Sequence, residues 1–189
     1  MSENYLQSAI AQFRYYKLLG EKTFEQLKDA QLFQKTGEES NSIAIIVKHL
    51  YGNMMSRWTD FMTSDGEKDW RDRDSEFTDD ETDRKTLMEY WEAGWACLFS
   101  ALETLRAEDL EKIIFIRNQG HTVLEAINRQ LAHYPYHVGQ IVFIGKMLID
   151  KKWSSLSIPK NESKSFNKEK FSSEKKRTHF TDEFLKKKK

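Results

Sequence analysis

The stretch Leu131-Ala-His133-Tyr-Pro135-Tyr-His137-Val-Gly139-Gln140-Ile141 decides how this chain is read. Two histidines four residues apart lie on one face of a helix, one turn from each other. That spacing lets two imidazoles reach one metal ion, and a third ligand must then come from another element. His49 is the candidate. It lies on the helical stripe Ser42, Ile45, His49, Asn53, Ser56, which is apolar or small and uncharged, so the imidazole is expected to point inward. Histidine is the commonest metal ligand, and a chain with one cysteine, Cys97, has no cysteine-rich alternative. The bland alternative is a set of hydrogen-bonded core histidines, which an isolated i,i+4 pair fits equally. His121 follows Gly120 at a turn and reads as exposed; His179 lies in a polar tail and reads as solvated.

Pro135 stands between the two histidines. It removes one backbone hydrogen bond, frees the carbonyl of Leu131 and should kink the helix, at about 3 kcal/mol if nothing compensates. Such a kink would retune the angle between His133 and His137. A helix restarting at Pro135 would instead undo their shared face.

Outward from this stretch the pattern is helical. Leu6, Ile10, Phe13, Leu18 and Phe24 recur at helical spacing over about residues 4–27. Residues 34–40 read as a loop. A second helix starts at an N-cap near Ser40 or Asn41 and runs through His49 and Trp58 to about Met62. Residues 63–83 form a long polar crossover, expected to cross the outside or one end of the domain pinned by Trp70 and Phe77. A third helix follows over about 83–105, with Cys97 read as a buried, inert thiol. Ile- and Phe-rich residues 112–117 suggest a short strand before a turn. Thr122 with Glu125 makes a capping-box pattern for the last helix, which runs to about Leu148. Four helices with one long crossover predict an all-α four-helix bundle over residues 1–150.

From Lys151 the composition changes. Residues 151–189 carry thirteen Lys and Arg against five Asp and Glu, while residues 1–150 carry seventeen against twenty-five. The acidic body argues against nucleic-acid binding by the domain itself. The basic tail reads as largely disordered over 161–189, after Trp153, Leu156 and Ile158 dock back; an anion or nucleic-acid tether is its functional alternative. The apolar run Ile141–Ile149 is too short for a membrane span and contains Lys146. Met1–Tyr5 lacks a signal-peptide start. With a single cysteine, a cytoplasmic location is the expectation.

His49, followed by His133-Tyr-Pro-Tyr-His137-Val-Gly139-Gln140, resembles the DinB-like superfamily, and within it is similar to uncharacterised bacterial members. The resemblance covers about residues 4–150, and His-x-x-x-His-x-Gly-Gln is its most specific element. It implies an up-down-down-up bundle, often a homodimer, with His49, His133 and His137 holding one divalent metal. Zinc or nickel is the first expectation, although nitrogen ligands also suit iron and copper. Some members of the superfamily transfer low-molecular-weight thiols such as bacillithiol or mycothiol; others are isomerases, hydrolases or without known reaction.

Three imidazoles leave an open coordination position, the mark of a catalytic site. A thiol transferase acting on an electrophilic small molecule is the leading expectation, with a metal-dependent hydrolase, a non-catalytic metal-binding or stress-associated protein, and an interaction module working through its tail as alternatives. Asn53 is one turn past His49, and Arg129 and Gln130 are one turn before His133. Any of them is a candidate to orient a histidine or bind substrate. Gln140 belongs to the family-like motif and serves either this role or helix packing. Tyr134, Tyr136, Trp58, Trp91 and Trp95 are candidate pocket walls, with core packing as their alternative.

Overall fold

The computed structural model describes residues 2–78 and 83–185, with side chains from residue 4. The chain is mostly helical, with one small two-stranded sheet. Its long helices are α1 (Ser2–Phe24), α3 (Ile43–Trp58), α4 (Arg84–Glu103) and α5 (Val123–Ile149), with a short α2 (Asp29–Leu32) between α1 and α3. Helix α3 packs along α4, α1 along α5, and α3 against α5.

The helix starts follow from side chains that satisfy otherwise orphaned backbone N–H groups. Ser42, not Ser40 or Asn41, caps α3: its Oγ accepts from Ile45 N at 3.2 Å. Asp83 caps α4 by accepting from Thr86 N at 2.8 Å. At α5 the capping box forms as the sequence suggests: Thr122 Oγ1 accepts from Glu125 N at 3.1 Å, and Glu125 accepts from Thr122 N at 2.8 Å. Helix α5 continues unbroken through Pro135 and does not restart there.

The apolar faces meet in an aromatic core. Phe13 of α1, Trp95 of α4 and Tyr134 of α5 form a mutual cluster with centroid separations of 5.9–6.4 Å. Trp58, Trp91, Trp95 and Tyr134 are all buried in the core and Tyr136 is 62% exposed; none of these five lines the cavity beside the three histidines. The Tyr134 hydroxyl ties α5 to α3. It donates to Asn53 Oδ1 at 3.0 Å and accepts from Trp58 Nε1 at 3.0 Å. Cys97 is half-buried between Thr59 Oγ1 and the Met54 carbonyl. Burial pushes its thiol pKa up.

Strands β1 (Ile113–Ile116) and β2 (Gln119–Thr122) pair antiparallel with Ile113 opposite Thr122. The expected single strand is therefore a hairpin. Its two turn residues, Arg117 and Asn118, both have left-handed φ, 54° and 59°, the backbone a two-residue hairpin turn requires. The Asp65 carboxylate accepts from both of their N–H groups at 2.8 Å. Gly66 N donates to Phe115 O at 2.8 Å, and Gly66 O accepts from Ser56 Oγ at 2.8 Å. The crossover is thus strapped between the hairpin and α3.

Three further expectations are corrected. Trp70 does not pin the crossover, since it is 60% exposed; Phe77 and Glu76 do, within a 3-10 turn (Ser75–Phe77) packed on α3. His121 is half-buried instead of exposed, because it sits on the hairpin and not in its turn. The tail expected to be largely disordered carries α6 (Ser163–Ser172) and α7 (Asp182–Leu185). Phe180 and Phe184 pack on Tyr15 of α1, Thr181 is fully buried, and His179 Nε2 meets Ser8 Oγ at 3.0 Å. An aromatic pair four residues apart supplies a docking face within an otherwise polar composition. Residues 79–82 of the crossover and the Lys186–Lys189 run lie outside the described residues.

Replacing Tyr134 by Phe leaves the Trp58 N–H and the Asn53 carbonyl oxygen buried without their partner. We expect a loss of about 2 kcal/mol of stability, measured by urea unfolding, with an unchanged slope against denaturant.

Candidate metal centre

Helices α3 and α5 bring His49, His133 and His137 together, and one nitrogen from each lies within 4.8 Å of the others. The facing atoms are the Nε2 nitrogens. His49 Nε2 is 3.4 Å from His133 Nε2, which is 3.1 Å from His137 Nε2. Nitrogens on two corners of a zinc tetrahedron, with Zn–N near 2.0–2.1 Å, stand roughly 3.3 Å apart.

Each opposite nitrogen meets an oxygen. His49 Nδ1 lies 2.9 Å from Glu76 Oε2, His133 Nδ1 3.0 Å from Gln130 Oε1, and His137 Nδ1 2.8 Å from Gln140 Oε1. An amide oxygen or an ionised carboxylate only accepts, so each Nδ1 carries the proton and donates. In the neutral tautomer this leaves Nε2 of each ring as the lone pair that faces the other two. Three acceptors face one another with no hydrogen to share, an arrangement that a cation satisfies and that oriented imidazoles commonly serve.

The electrostatics favour the neutral form of the two α5 rings. Burial, reinforced by the neighbouring His137 and His49, depresses the His133 pKa from 6.5 to about 3. Burial also lowers that of His137, against the opposing hydrogen bond to Gln140. Glu76 runs the other way. Its burial favours the neutral acid, but hydrogen bonds from His49 and Arg71 hold its pKa below the usual carboxylate value. Arg71 grips it through both ends of the guanidinium, Nε to Oε1 at 2.7 Å and Nη2 to Oε2 at 3.0 Å.

Glu76 reaches His49 only because residue 52 is glycine. A Cβ there would stand 2.1 Å from Glu76 Oε1 and 2.7 Å from its Cδ. The ring of Phe77 lies against His49, with centroids 4.9 Å apart. The 3-10 turn of the crossover therefore closes over the outer side of the His49 ring.

The histidines open into a cavity of about 460 Å³, whose wall also includes Asn53, Arg129 and Gln130. Of the residues singled out from sequence, Gln130 and Gln140 each touch a histidine. Asn53 bonds Tyr134 instead, and Arg129 lines the cavity without touching a ring nitrogen. Sequence reasoning missed Glu76, Arg71 and Phe77. One signal pointed their way: Gly52 is an isolated glycine inside a helical pattern three residues past His49, and such a glycine often marks close approach by another part of the chain.

The fold and site define a mostly helical protein with a three-histidine group able to hold a metal ion. The chain belongs to the family described as Protein of unknown function (DUF1572), whose model matches residues 1–162. No curated protein and no solved structure matches it.

Two outcomes are expected. Gly52→Ala displaces Glu76 and should weaken metal affinity about 10–100-fold, as should Glu76→Ala; competition with a chromophoric chelator measures both. In metal-free protein, the unfolded His133 takes up a proton near pH 6.5, while the folded one stays neutral until about pH 3. The unfolded state then binds more protons, so stability present above pH 6.5 is lost as pH falls through that window. His133→Phe should flatten this dependence in urea titrations run from about pH 7 to about pH 4.

Proposed function

We propose that this protein is a metal-dependent enzyme of the DinB-like four-helix-bundle type, transferring a low-molecular-weight thiol to an electrophilic small molecule. The observation that carries the metal reading is the set of three converging Nε2 atoms, each ring backed by an oxygen on Nδ1. His49, His133 and His137 would hold the ion, with zinc or nickel the first candidates for an all-nitrogen donor set. A divalent ion there supplies Lewis acidity, lowering the pKa of a thiol that reaches its open position.

The surrounding residues favour thiol transfer over hydrolysis. Among the described residues the cavity wall holds no carboxylate to act as a general base toward water. Glu76 lies behind His49 and is engaged by Arg71. A thiol needs less help, because its ordinary pKa of about 8.5 already lies far below that of water. Cys97, outside this cavity, offers no protein nucleophile in competition. Gln130 and Gln140 hold the rings of α5 in one tautomer, and Phe77 limits water access to His49. The DinB-like resemblance supports the bundle topology and a homodimer. Exposed Tyr136, Phe143 and Met147 on one face of α5 fit such an assembly. One free cysteine suits work in a reducing cytoplasm.

Untagged protein analysed by mass spectrometry for metal should carry one equivalent in wild type, lost in His49→Ala and in His137→Ala. Wild type without metal, even after supply of zinc and nickel, would overturn the reading. Conjugation of a small thiol to an alkylating electrophile should be faster with loaded wild type than with His133→Ala. Equal rates would leave a metal-binding protein without this activity.

A further inference from the structure

The cavity beside the three histidines is walled by five arginines: Arg57, Arg71, Arg73, Arg117 and Arg129. They come from four places in the chain: α3, the crossover, the hairpin turn and α5. The body of the protein is acidic, so this concentration of positive charge is local and opposes the composition around it.

Two carboxylates take up most of the pairing. Glu67 meets Arg57 at 2.9 Å, Arg117 at 3.2 Å and Arg71 at 3.5 Å, while Glu76 takes the bidentate contact from Arg71. One carboxylate shared by three guanidiniums leaves an excess of positive charge. Arg57 is buried, and its Nε has no acceptor. Arg73 stacks over Phe77 at 5.0 Å and reaches Asp74, an exposed residue, only at 3.9 Å. Arg129 has no ion-pair partner among the described residues. It is one turn before His133 on the same helix. Arg73 is four residues before Phe77, which packs on His49. Among the described residues, the two least-neutralised guanidiniums of the cavity thus belong to the segments that carry opposite sides of the histidine cluster.

Guanidinium is the side chain suited to planar, bidentate capture of carboxylate and phosphate. A cleft of one sign with low-dielectric walls also concentrates ligands of the opposite sign. A divalent ion would add to the same field.

We propose that the substrate of this site is a small anion with at least two negative charges, carried on carboxylate or phosphate groups that sit on Arg73 and Arg129 while the reacting end faces the histidines. This rests on the metal-site reading for where the reacting end lies, but the charge requirement stands on the arginines alone.

The test is calorimetric or ligand-observed NMR titration of the full chain, zinc-loaded and metal-free, with three probes: glutarate, glycerol 2-phosphate and the uncharged glutaramide. At least one anion should bind tenfold or more tightly than glutaramide, with affinity falling as salt rises. The Arg73→Gln/Arg129→Gln double variant should lose about tenfold for that anion. Both positions are exposed, so folding of the variant is checked by circular dichroism, and the single variants provide a second measure. Whichever of glutarate and glycerol 2-phosphate binds more tightly identifies the headgroup. Glutaramide binding as well as the anions, wild-type affinity in the double variant, or no anion binding at millimolar concentration would each overturn the proposal. Anion binding that persists in protein unable to take up metal would uphold it while the metal reading fails. Metal uptake with indifference to ligand charge would do the reverse.

Discussion

The geometry of the site depends on one buried carboxylate. Glu76 lies 7% exposed between the Nδ1 of His49 and the fork of Arg71. A lone carboxylate at that depth would be expelled or protonated. The guanidinium keeps it ionised, and an ionised carboxylate can only accept. That places a proton on Nδ1 of His49 and turns its Nε2 toward the side where His133 and His137 stand. Charge pairing in the crossover therefore sets the chemical character of a nitrogen on α3.

The same interaction explains the backbone around it. Gly52 must lack a Cβ because Glu76 occupies that volume. The crossover must be held down along its length, or the 3-10 turn could not present Glu76 and Phe77 to α3. The Asp65 contacts to the hairpin turn and the Ser56 contact to Gly66 do this. The hairpin, a minor element by size, serves as the anchor for a long polar segment that would otherwise be a free loop. Tyr134 then fixes α5 against α3, so that the two histidines of one helix meet the one histidine of the other.

The cationic cavity is the counterpart of this design. The arginines that hold Glu76 and Glu67 in place also line the space in front of the histidines. Structural ion pairing and an electrostatic preference for anions arise from the same side chains. Because Glu67 is shared, stabilising the crossover does not cancel the charge presented to the cavity.

Much of the helical framework was legible in the sequence. Apolar residues at helical spacing marked α1, α3, α4 and α5, and local chemistry marked the Thr122 start of α5. The pairing of His133 with His137 was also local, since four residues on one helix share a face whether or not a proline intervenes. Other features were beyond reach because they are contacts between residues distant in the chain. Glu76 and His49 are 27 residues apart, and Glu76 is one acidic residue among many in its segment. Arg57, Arg73 and Arg117 read singly as ordinary surface cations, and only folding brings them to one cavity with Arg129. Phe180 and Phe184 were hidden in a basic, polar tail because composition averages over the two residues that dock. The sequence by itself thus determined helix periodicity, the capping box of α5 and the histidine pair on that helix, all of which are set by neighbours within a turn or two. The carboxylate behind the third histidine, the arginine-lined cavity and the course of the crossover were decided by tertiary packing, because each depends on pairing charges and volumes that the chain brings together only when folded.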